Sequence, residues 1–255
     1  MLCLPTVGEA GTREPLALAR AALRDPSAAL DAVAYPSPQA LAAAGRHRDR
    51  AVAAVAGGLR ISSTFYGADE IASIAAVLQG LDHGAELAQL SVYVATPAEI
   101  AEICGATVVA CYLPGEMEMV VSGVDRPVAG VPRDFAIAHE YGHHIANSQA
   151  GVSAAPIDVG TIRWATYERV CQFTRSHKLF PGDQGAHYWE DPEEAFAESY
   201  AHLTEPASRV SWQYTPLLAP SSASLAKIRA DVAHPWSGPV SADLSGTVAE
   251  PSQPP

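Results

Sequence analysis

Along the chain, apolar positions recur first with helical and later with strand-like spacing. From Glu14 to about Ala34 the series Leu16, Leu18, Ala19, Ala22, Leu23, Leu30 predicts helices interrupted at Asp25-Pro26. A second helical run covers Pro38 to Ala56 and ends at Gly57-Gly58, and a third covers Ala68 to Leu81, with Ile71, Ile74, Ala75 and Leu78 on one face. The texture then changes. Leu90–Thr96 reads as a strand, Pro97–Ile103 as a short helix, and Thr107–Tyr112 as a strand; Leu113-Pro114-Gly115 is a turn, and Glu116–Ser122 returns as a further strand. Helices follow over Arg133–Ser148, Gly160–His177, Pro192–Leu203 and Ser222–Val232. The expected layout is α+β, with a small, mostly antiparallel sheet and no βαβ alternation. It divides into a flexible N-terminus (1–12), a helical N-terminal portion (13–89), a core carrying sheet and helices (90–235) and a disordered Pro/Ser tail (236–255).

Composition narrows the function classes. The chain has 255 residues, 48% of them hydrophobic, and a formal charge of −12. It can bury a sizeable core, and its charge argues against nucleic acid or an anionic membrane surface as partner. No apolar run approaches the roughly 18 residues of a membrane span, and the first residues show no signal-peptide pattern. The cysteines, Cys3, Cys104, Cys111 and Cys171, include no CxxC pair, so a four-thiolate zinc site is not expected. Cys104 and Cys111 are close enough for a local disulfide, which would favour a secreted or exported protein; buried free thiols are the alternative.

The chemistry concentrates in His139-Glu140-Tyr141-Gly142-His143, an HExxH pattern inside the predicted helix Arg133–Ser148. Four residues along a helix turn about 400° and rise about 6 Å, so His139 and His143 share a face and can bind one ion. Glu140, about 100° away, reaches the same place without being a ligand, as a general base must. His144 is off that face. A catalytic zinc takes a third protein ligand and keeps one position for water. His177, His187, His202 or a glutamate could supply that ligand. The segment Pro192-Glu193-Glu194-Ala195-Phe196-Ala197-Glu198 favours a glutamate, with Glu194 and Glu198 on one helical face and Glu190 and Glu193 as competitors.

The two motifs together resemble the gluzincins, zinc metallopeptidases whose third ligand is a glutamate on a second helix. The Pro-Glu-Glu-x-Phe-Ala-Glu wording is similar to the toxin-type group containing anthrax lethal factor. The resemblance covers about a third of the chain, Met117–His202. It implies a zincin-like domain over 90–235, one zinc ion held by His139, His143 and Glu194, and Glu198 orienting a ligand histidine. It also makes Tyr188, or His187, the donor to the oxyanion. It further implies that Glu116–Ser122 is the edge strand on which an extended substrate pairs. The expected function is a monomeric zinc-dependent endopeptidase acting on a peptide or protein through a zinc-activated water, with Glu140 as general base. The alternative is a non-catalytic zinc-binding protein whose cleft holds a protein partner.

Overall fold

The structure, a computed structural model, describes residues 52–56, 58–105, 108–124, 130–148, 159–183, 185–206 and 210–235. The helices expected over 14–34 and 38–51, the N-terminus 1–12 and the tail 236–255 lie outside the described residues. Among the described residues five strands form one sheet: β1 (Val52–Ala56), β2 (Leu59–Ser63), β3 (Ser91–Ala95), β4 (Cys111–Leu113) and β5 (Glu118–Ser122), in the order β1-β2-β3-β5-β4. Seven α-helices among the described residues accompany it: α1 (Ala68–Gly80), α2 (Pro97–Ile103), α3 (Arg133–Ser148), α4 (Ile162–Tyr167), α5 (Val170–Arg175), α6 (Pro192–Thr204) and α7 (Ser222–Ala233). The α+β class expected from the sequence is what the fold shows, and α1, α2, α3, α6 and α7 lie where the apolar periodicity puts them.

Four expectations are corrected. Val52–Ala56 is a strand and not the end of a helix: Ala56 faces Leu59 in an antiparallel ladder, and Gly58 takes φ +95° in the two-residue turn between them. Alanine-rich sequence favours helix by propensity, but a Gly-Gly pair between two apolar runs is also a hairpin turn, and the ladder wins here. The sheet is mixed and not mostly antiparallel. β2, α1 and β3 make a crossover unit with β2 and β3 parallel, β5 adds parallel to β3, and only the outer pairs β1·β2 and β4·β5 are antiparallel. The edge strand on this side is β4 and not Glu116–Ser122: β5 lies between β3 and β4, every one of its residues is buried, and its apolar centre Met119-Val120-Val121 suits a central strand. The expected helix 160–177 is two helices, α4 and α5, broken where Arg169 adopts φ 58°.

Side chains alternate across the sheet. Val92, Val94, Tyr112, Met119 and Val121 join the main core with α1 and α3, while Tyr93, Ala95, Cys111, Leu113 and Val120 form a smaller cluster under α2. A disulfide joins Cys104, just past the end of α2, to Cys111 at the start of β4, and no described cysteine is free. No described helix is long and apolar enough to cross a membrane. α3 lies between the sheet and α6. Gly142 makes that contact close: a Cβ there would stand 2.7 Å from the Ala197 Cα, nearer than real contacts allow.

Candidate metal centre

α3 is unusual in that thirteen of its sixteen residues are buried, twelve of them consecutive from Phe135 to Ala146, including His139, Glu140, His143 and His144. It can afford this because the sheet lies on one side and α6 on the other. α6 starts at Asp191, whose carboxylate accepts from the Glu193 backbone N–H, with Pro192 in the first turn. Both are ordinary signals for a helix start, and they put Glu194 in the first turn, where the helix dipole favours a carboxylate. The close approach at Gly142 then carries Glu194 to the histidine face of α3.

Three atoms converge there. His139 Nε2 and His143 Nε2 are 3.2 Å apart, and Glu194 Oε2 lies 3.5 Å from the first and 3.6 Å from the second. A tetrahedral site with ligand distances of about 2.0–2.1 Å has edges of about 3.3–3.4 Å between ligand atoms. The observed triangle matches one face of such a tetrahedron, and two imidazoles with one carboxylate suit a divalent transition metal. The group can therefore hold a metal ion.

The surrounding polar groups orient these atoms. His139 Nδ1 lies 3.1 Å from Glu198 Oε2, so the ring donates from Nδ1 and its Nε2 lone pair faces the centre. Glu198 Oε1 lies 3.5 Å from His202 Nε2. Burial pushes the Glu198 carboxyl up, but its hydrogen bonds to His139 and His202 outweigh burial and leave it below the usual range. Burial acts on Glu194 in the same sense, and the neighbouring His143 and His139 again prevail, holding its carboxyl well below the usual range. Both glutamates are thus anionic acceptors in a dry site.

The remaining candidates sort by position. Tyr188 is buried, and its phenol donates to Glu194 Oε2 at 3.2 Å. His187 stacks on Phe180 with ring centroids 3.7 Å apart and faces outward. Glu190 sits beside His187 at 3.9 Å, partly exposed. Glu193 is buried but is not one of the three converging groups. His177 is exposed, and His202 reaches Glu198 and not the centre. His144 is wholly buried and serves the framework: its Nε2 donates to the Glu86 carbonyl at 2.9 Å, which leaves Nδ1 to accept from the Tyr112 hydroxyl of β4 at 3.1 Å. Burial pushes its pKa down, consistent with a neutral ring.

Sequence reasoning missed Tyr214, whose hydroxyl is 3.2 Å from that of Tyr188 and 3.5 Å from Glu194 Oε2. It lies outside both motifs, on an irregular segment, and no spacing rule connects it to them. No protein-family model matches the chain, and neither a curated protein nor a solved structure matches it significantly, so the reading of this centre rests on its own residues.

Proposed function

We propose that this chain is a zinc-dependent endopeptidase. The observation that carries the reading is the buried triangle of His139, His143 and Glu194, with Glu140 between the two histidines on the same helix. Its resemblance in sequence to the gluzincins supports the same choice of metal and reaction. When bound, zinc would polarise the scissile carbonyl and lower the pKa of the attacking water toward about 7.

The chain's own residues have separate tasks. His139, His143 and Glu194 hold the ion, and Glu198 keeps His139 in the tautomer that a ligand needs. Glu140 takes the proton from the attacking water and passes it to the departing amine. Tyr188 donates to Glu194 Oε2 at rest and turns that one proton to the oxyanion as it develops. β4, the outer strand next to β5, offers backbone groups with which an extended peptide can pair. The Cys104–Cys111 disulfide supports an oxidising compartment, hence an exported protein.

The test is the metal content of purified protein together with cleavage of a peptide library by wild type and Glu140→Gln. About one zinc per chain, with cleavage that falls by at least about a hundredfold in the variant, is expected. Equal cleavage by both proteins would remove Glu140 as base. Zinc without any cleavage would favour the non-catalytic binding protein.

A further inference from the structure

Glu194 gives one oxygen, Oε2, to the triangle, and a carboxylate turns easily about its terminal torsion. Something must keep that oxygen aimed at the two imidazoles. The Tyr188 hydroxyl donates to it at 3.2 Å. Tyr214 reaches the same place from a segment some twenty residues beyond α6's first turn: its oxygen is 3.2 Å from the Tyr188 oxygen and 3.5 Å from Oε2.

Each phenol has a single proton. With the Tyr188 proton directed at Oε2, the proton of Tyr214 goes to the Tyr188 oxygen or to Oε2 itself. In the first arrangement the two O–H groups form a chain in which each polarises the next; in the second both grip one carboxylate oxygen. Both arrangements restrain Glu194.

The segment is built to hold this pose. The Thr215 N–H donates to the Trp189 carbonyl at 2.8 Å, which ties the strand of chain bearing Tyr214 to the turn bearing Tyr188. The Trp212 indole N–H donates to the Thr215 carbonyl at 3.3 Å. The Tyr214 ring packs against Trp189 and Trp212, with centroids 5.5 and 5.6 Å away, and is 4% exposed. Packing alone would be served as well by phenylalanine, and only the hydroxyl reaches the centre.

We propose that Tyr214 is a positioning residue of the metal centre: its hydroxyl, acting with Tyr188, orients Glu194 and so sets how tightly zinc is held. The inference rests on the zinc reading above. It is tested by competing zinc against a chelator on wild type, Tyr214→Phe, Tyr188→Phe and the double variant, with cobalt-substituted protein as a spectroscopic check. Tyr214→Phe should weaken zinc by about tenfold, the scale on which groups that orient a ligand act. The double variant should lose less than the product of the two single losses, because the phenols act as a unit. The visible absorption of the cobalt form should shift, while the thermal midpoint of the metal-free protein stays near that of wild type. Zinc affinity within twofold of wild type in Tyr214→Phe, or a loss matched by collapse of the metal-free midpoint, would overturn the proposal. A wild-type control that binds no zinc would overturn it together with the zinc reading, so the two failures are told apart by that control.

Discussion

On one face of the sheet, α3 and α6 bury His139, Glu140, His143, Glu193, Glu194 and Glu198 within the main core. On the other face, the seven-residue helix α2 covers a small cluster around Tyr93, Ile100, Ile103 and Val120, and a disulfide fastens its end to β4. The first face pays a desolvation cost that is offset only while every charged group keeps its partner. The second holds a smaller apolar cluster beside the Glu99 carboxylate, and a covalent link adds chain restriction there. The comparison teaches that the densest set of buried charges is placed where two whole helices and the sheet surround it, and that the thinner side carries a covalent chain restriction as well.

That contrast can be broken at either end. The largest effect is expected at Glu140→Gln, which should lower peptide cleavage by about 10²–10⁴-fold at unchanged zinc content; steady-state kinetics and metal analysis on one preparation check both halves. On the opposite face, replacing Cys104 and Cys111 by serine should cost about 2–3 kcal/mol in urea unfolding, since the bridge closes a short loop. Zinc affinity should hardly change, and a large loss of zinc would show the two faces to be coupled.

Gly142→Ala sharpens the comparison from the metal side. In an isolated helix alanine is favoured over glycine by about 1 kcal/mol. Here its Cβ would meet the Ala197 backbone at 2.7 Å, so the helices must part, at about 1–3 kcal/mol. Unfolding should therefore show net destabilisation and chelator competition weaker zinc binding. A variant as stable as wild type, with full zinc affinity, would show that the helices separate without cost.

The smallest effect concerns the α2 side and pH. Burial pushes the Glu99 carboxyl up, but hydrogen bonds from Thr64, Tyr93 and Thr96 more than compensate and hold it at about 2, against 4.5 for a free side chain. A carboxyl lowered on folding stabilises the fold above its unfolded pKa and stops doing so as the pH falls to the folded value. The advantage of wild type over Glu99→Gln should thus be level above about pH 4.5 and fade between there and about pH 2. Denaturant midpoints across that range measure it, and a constant difference would contradict the assignment.

Much of the site was legible before any tertiary information. The spacing of His139 and His143 states a shared helical face, and Asp191-Pro192 ahead of Glu193 and Glu194 states a helix start. Each of these is a signal within a few residues, decided by local backbone geometry. What was illegible depends on partners far along the chain. β1 reads as helix until β2 supplies its ladder, and β5 reads as an edge until β3 takes up its other side.

By itself, then, the sequence determined which residues could act as ligands and base, and which short segments would be helical, because those properties follow from residue type and a turn or two of backbone. Tertiary structure decided that Glu194, and not Glu190 or Glu193, meets the two histidines. It also brought Tyr214 to the same oxygen and placed β4 at the rim of the sheet. Those outcomes depend on the close packing of α3 on α6 at Gly142 and on strand order, and the energies behind them arise only when distant segments exclude water from one another.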